Sequence, residues 1–217
     1  MLINTNMALE TILDGILDSR TKLRIIRLFA SRTEAFKASG REIAKWTALS
    51  PPAAHAALKD LLDRKVLKRE ILGNQHLYRL DHANRTVRDI LKPAFRKEGA
   101  FKEDIRNFLL RKIEDAEAAS QIVSLVLYGS LALGKTHEAS DCDIAVVVTH
   151  PKAKEQLEKL FQDGIVSEFF TEFGVHLDPY VQTLEEFRMK MKNKRPPIST
   201  MMLGYEIILG KDPIEIG

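Results

Sequence analysis

Between residues 19 and 31 apolar side chains return every three or four positions, at Leu23, Ile26 and Phe29 or Ala30. Lys22, Arg24 and Arg27 take the rest of the cylinder, which is the period of an amphipathic helix. A short second helix is predicted over residues 43–46, entered through Ser39 and Glu42, whose spacing suits a capping box. Trp46 at its end reads as core. Ser50-Pro51 is a third helix start, with serine as cap and proline in the first turn. That helix runs to about Arg64 and presents Ala54, Leu58, Leu61 and Leu62 as its buried stripe. The period then shortens: residues 66–72 and 76–80 flank Gly73-Asn74-Gln75 and read as a β-hairpin.

Residues 85–118 return to helical spacing, through Val87, Ile90, Leu91 and Phe95, then Phe101, Ile105, Phe108, Leu109 and Ile113. Pro93 and Gly99 are expected to kink or split that run. An apolar, β-branched run from Ile122 to Tyr128 follows and reads as a buried strand. Gly129-Ser130 breaks it, and Ser140-Asp141-Cys142-Asp143 leads into a second buried strand over 144–148. Asp141 and Asp143 stand two apart, so both carboxylates leave one face, while Cys142 and Ile144 take the other as core. Two acids at the mouth of an apolar strand repel each other unless a positive charge lies between them. Oxygen ligands of this kind favour magnesium or manganese. Helices are expected over 151–162 and 165–173, then a third strand over 174–182 with Asp178 in its middle. Thr183 and Glu186 cap a helix with a basic tail, and a last apolar helix or strand lies around 205–209.

The chain has 217 residues, 45% hydrophobic and 29% charged, room for one or two small domains with a proper core. One cysteine excludes an internal disulfide and fits a reducing compartment. The first twenty residues lack the basic start and apolar stretch of a secretory signal, and no run approaches the length of a membrane span. The expectation is a cytoplasmic protein without a membrane partner. Residues 1–98 hold 19 Lys and Arg against 11 Asp and Glu, residues 99–217 hold 14 against 19. A basic front and an acidic rear point to two modules, with any polyanion belonging to the first.

A strand ending in Gly-Ser, ten residues, then Asp-x-Asp opening a second strand resembles the DNA polymerase beta-like nucleotidyltransferases, within them the minimal nucleotidyltransferases. Ala132, Gly134 and Ser140 also stand at familiar places, and the likeness covers roughly residues 119–217. It implies a nucleoside triphosphate as substrate, with magnesium or manganese on Asp141, Asp143 and a third acid, matched here by Asp178. Gly129 and Ser130 would cradle phosphate, joined by Lys135 and Ser140. Leu131 and Leu133 stand where relatives often carry arginine. The acceptor hydroxyl could belong to a protein, a transfer RNA end or a small molecule. His137 and His176 read as incidental, being isolated from ligand-like partners.

Three helices and a basic hairpin resemble the winged helix-turn-helix of small bacterial and archaeal regulators, over roughly residues 8–82. That likeness implies contact with double-stranded DNA through His55 and Lys59 on the third helix and Lys68, Arg69, Gln75 and His76 on the wing, with Arg79 beside them. The expected architecture is α+β: a winged helix-turn-helix over 1–82, a helical connector over 83–118 that is a candidate homodimer contact, and over 119–217 a mixed β-sheet with flanking helices. Two functions compete, with a purely protein-binding adaptor as a third reading. One is metal-dependent nucleotidyl transfer; the other is a DNA-binding regulator whose rear domain senses a nucleotide or is inactive.

Overall fold

A computed structural model describes residues 11–133 and 141–217, and the chain forms two compact units, 1–102 and 103–217. Among the described residues, the first helices of the front unit are α1 (Asp14–Leu17) and α2 (Arg20–Ala30). Ser19 caps α2 by accepting from the Lys22 amide. The buried stripe of α2 is Ile25, Ile26, Phe29 and Ala30, together with Lys22. Lys22 is thus inside, not on the outer cylinder, and Leu23 is half-buried. The lysine tolerates burial because its ammonium donates to the Gly15 carbonyl at 2.7 Å and pairs with Asp18 and Asp60.

Strand β1 (Ala38–Ser39) enters α3 (Gly40–Trp46), and the capping box of Ser39 and Glu42 closes in both directions. Trp46 is 50% exposed and laps Phe36, ring centroids 5.9 Å apart, instead of entering the core. Ile43 and Ala44 already fill the inward side of this short helix. Next comes α4 (Pro51–Asp63), capped by Ser50, burying Ala54, Ala57, Leu58 and Leu61, with Leu62 only half-buried. The hairpin pairs β2 (Leu67–Leu72) with β3 (Gln75–Leu80) around Gly73-Asn74, and Gly73 takes φ +58° as a two-residue turn requires. With β1 on the far side of β3, the order is β1-β3-β2. The helices α2, α3 and α4 against a three-stranded sheet make this unit a winged helix-turn-helix.

A widened turn over Val87–Leu91 leads into α5 (Lys92–Asp115). Neither Pro93 nor Gly99 divides it. Pro93 is second in the helix, where the π-type turn before it accommodates the ring, and Gly99 simply continues the cylinder. The boundary between the units falls after Lys102, inside this helix.

The rear unit holds β4 (Ile122–Tyr128), the single turn α6 (Gly129–Ala132) and β5 (Cys142–Val148). Then come α7 (Pro151–Leu160), continued through a π-type turn into α8 (Val166–Phe173), and β6 (Leu177–Thr183). The chain ends with α9 (Leu184–Lys192), α10 (Ile198–Met201), β7 (Tyr205–Gly210) and α11 (Pro213–Ile216). Sheet order is β6-β5-β4-β7, with β5 and β6 parallel and the other pairs antiparallel. The region around 205–209, open between helix and strand in the sequence, is the edge strand β7. Both faces are covered, which is why β4 and β5 read as continuous apolar runs. Cys142, Ile144, Val146 and Val148 face Phe108, Leu157, Phe161 and Phe169; Val126, Ala145 and Val147 face Phe187, Ile198, Met201 and Ile216.

Candidate functional site

Alternation along β5 puts Asp143 on the same face as Ala145 and Val147, with Cys142 buried on the other. Burial drives the Cys142 thiol up to about 12, as expected of a core residue. In the parallel pair of β5 and β6, Asp143 stands directly opposite Asp178, and in the antiparallel pair with β4 it stands opposite Tyr128. The sheet therefore lines up Tyr128, Asp143 and Asp178 at one end of three adjacent strands. Asp141 lies just before β5, exposed.

These carboxylates act on one another. Burial, then the charges of Asp178 and Asp141, push the Asp143 carboxyl above its usual range. Burial and the charges of Asp143 and Asp178 push the Tyr128 phenol up to about 12. Elsewhere the chain meets its acids with cations: Asp60 with Lys22, Glu70 with Lys37 and Arg79, Asp81 with Lys68, Glu186 with Lys154. Among the described residues no cation pairs with Asp141, Asp143 or Asp178.

Gly129 explains its own identity. It takes φ +73°, and a Cβ there would lie 2.1 Å from Asp143 Oδ2. The Gly-Ser turn and the acid are a single packed unit: the missing side chain of one is the space filled by the other. Ser130 follows in the first turn of α6. Lys135, Ser140, Gly134 and His137 lie outside the described residues.

Among the described residues no three His, Cys, Asp or Glu side chains are gathered as a metal cage. The facing pair of Asp143 and Asp178, with Asp141 close enough to add its charge, nevertheless suits a hard divalent cation. Magnesium is commonly held by one or two carboxylates and fills its shell with water and phosphate oxygens. His176 stacks on Phe170 at 4.5 Å between centroids.

On the front unit, His55 and Lys59 of α4 and Lys68 and Arg69 of β2 line one groove. His55 also lines a second groove with Arg41 and Lys45 of α3. Arg41 and Lys45 were not among the residues expected; their helical spacing in a short helix carries no signal of its own, and only the fold sets them beside His55. Lys68 pairs with Asp81 at 2.8 Å, and Arg79 with Glu70 at 2.6 Å, so both charges are partly spent within the wing. Gln75 and His76 are exposed at the hairpin, next to Ile71 and Leu72, which are 67% and 69% exposed. No helix among the described residues is long and apolar enough to cross a membrane.

Residues 103–200 match the family described as nucleotidyltransferase domain. The chain is 33% identical over 92 residues to the "Putative protein adenylyltransferase MJ1305" of Methanocaldococcus jannaschii, covering 42% of this chain. It spans 60% of that relative's length. Solved structures similar to part of the chain include HlyU from Vibrio cholerae N16961, at 17% identity and a TM-score of 0.37, over 43% of this chain and 96% of that one. Another is the homodimeric winged helix-turn-helix DNA-binding domain Mb0332 from Mycobacterium bovis, at 18% identity and a TM-score of 0.36, over 46% and 90%. The winged-helix assignment of the front unit rests on its own strand order and helices.

Proposed function

We propose that this protein moves a nucleoside monophosphate from a triphosphate to a hydroxyl acceptor in a metal-dependent reaction, a reading supported by the match of residues 103–200 to the nucleotidyltransferase domain family. The observation that carries the reading is the register of Asp143 against Asp178, with Gly129 shaped around the Asp143 carboxylate. Asp141, Asp143 and Asp178 would hold magnesium or manganese, and Gly129 and Ser130 would receive the phosphates, with Lys135 and Ser140 assigned there from the motif alone. When bound, such a cation neutralises phosphate charge. The chain's own part is to hold the acids in register and to keep the acceptor oxygen in line with the α-phosphorus. A carboxylate, assigned to Asp178 by the motif, takes the acceptor's proton as the new P–O bond forms and pyrophosphate leaves. The name of the archaeal relative makes a protein side chain the first acceptor to test, before a transfer RNA end or a small molecule.

The test is thermal unfolding with each nucleoside triphosphate and magnesium, on wild type and Asp141→Asn/Asp143→Asn, followed by transfer of labelled nucleotide. A ligand at about 100 times its dissociation constant adds roughly 2.7 kcal/mol of stability. A magnesium-dependent rise lost in the variant supports the reading; no rise with any nucleotide sinks it.

A second reading, a DNA-binding regulator whose rear unit senses nucleotide, is favoured by the basic strip from Arg41 and Lys45 through His55 and Lys59 to Arg69. The two readings part on Asp143→Asn, which abolishes transfer in the first and leaves DNA affinity unchanged in both. A homodimer and a cytoplasmic setting belong to the same proposal.

A further inference from the structure

Tyr180 and Gln182 follow Asp178 along β6 at intervals of two, so both side chains leave the sheet on the face that carries the acids. Tyr180 is close enough to Tyr128 to disfavour its phenolate together with Asp143 and Asp178. From α9, Lys190 Nζ donates to Tyr180 Oη at 2.5 Å and to Gln182 Oε1 at 2.7 Å, lying 4.9 Å from the Tyr180 ring centroid. Gln182 is 6% exposed, so this anchoring is largely out of water.

The partners of Lys190 are unusual for this chain. Lys22, Lys92, Lys112 and Lys154, the first two buried and the others largely so, each meet a carboxylate. Lys190 is held by two neutral oxygens. The nearest acid on its own helix, Glu186, feels its charge but is bonded by Lys154 at 2.9 and 3.0 Å. An ammonium has three N–H donors, and two are committed. A full positive charge with one donor to spare is therefore fixed on the acid-bearing face, in partial shelter from water, where an anion would gain most from it.

We propose that Lys190, oriented by Tyr180 and Gln182, binds the β- and γ-phosphates of the nucleoside triphosphate. This rests on the nucleotidyl-transfer reading and deepens it. The acids handle the α-phosphorus; Lys190 meets the part that departs. As the acceptor oxygen bonds to the α-phosphorus, the bridging bond to the β-phosphate breaks and its electron pair goes to pyrophosphate. The Lys190 N–H donates to that pyrophosphate while remaining protonated.

Inorganic tripolyphosphate in magnesium buffer is the probe, compared with AMP by calorimetry on the full chain, with transfer from labelled ATP measured alongside. Lys190→Met should weaken tripolyphosphate by about tenfold or more and leave AMP unchanged, as loss of one charge-assisted contact implies. Lys190→Arg should stay within about threefold of wild type, since charge and donors persist. Tyr180→Phe, which keeps the lysine but removes one anchor, should fall between them and serves if Lys190→Met does not fold. The inference is overturned if wild type ignores tripolyphosphate, if Lys190→Met binds it as tightly as wild type, or if AMP is lost in equal measure. Lysine-dependent tripolyphosphate binding without any transfer of label keeps Lys190 and discards the transferase reading. Transfer with an unchanged KM for ATP in Lys190→Met does the reverse.

Discussion

Asp143 is held where its charge is costly: half-buried, opposite Asp178, near Asp141, and pressed into the gap left by Gly129. Its carboxyl titrates above the usual range, so the folded chain binds that proton more tightly than the unfolded one. Stability from this group is complete below the ordinary carboxylate pKa and is lost as pH rises through the raised value. Asp143→Asn should therefore raise the melting temperature at pH 7 in chelator, the gain shrinking toward pH 3, while abolishing transfer. An unchanged melting temperature would mean the acids do not strain one another. Gly129→Ala meets two obstacles at once, a left-handed φ worth about 1–2 kcal/mol for a side-chain-bearing residue and a Cβ against the Asp143 carboxylate. Denaturant unfolding of that variant should show a loss of at least that size.

At the level of elements, the motif strands, the capping boxes at Ser39 and Thr183, the Ser50-Pro51 helix start and the wing were all legible, because each is written in local spacing. What escaped depends on partners distant in sequence. Lys22 looks like a surface residue until Asp60 arrives from α4; Trp46 looks like core until Ile43 and Ala44 have filled it; Pro93 looks like a break until the preceding turn widens. The pairing of Lys190 with Tyr180 had no signal either, since a basic helix end usually faces water. The Lys22–Asp60 contact has a pH signature. Its hydrogen bond with Lys22 holds the Asp60 carboxyl below the usual range, so its contribution is present above about pH 4 and lost as pH falls through the depressed value. Asp60→Asn should destabilise the chain at pH 7 and matter little near pH 2, as read from melting curves at the two values.

For the molecule as a whole, a basic front and an acidic rear predict two ligands with different salt responses. If the front unit binds duplex DNA, replacing Lys59 or Arg69 by alanine should each reduce the slope of log affinity against log salt by about 0.9, whatever the sequence bound. A slope that does not move would exclude those side chains from phosphate contact. The register of β5 with β6 has a further consequence, for how such a chain can change length. Residues gained or lost in the turns on either side of the crossover helices leave the acids facing each other, while the helices themselves must keep Leu157, Phe161 and Phe169 on the sheet. One codon inserted within Leu177–Thr183 reverses parity: either Asp178 turns to the greasy side or Tyr180 and Gln182 do. Viable descendants of this sequence can therefore change length at the ends of the crossover but must edit the acid-bearing strands two residues at a time.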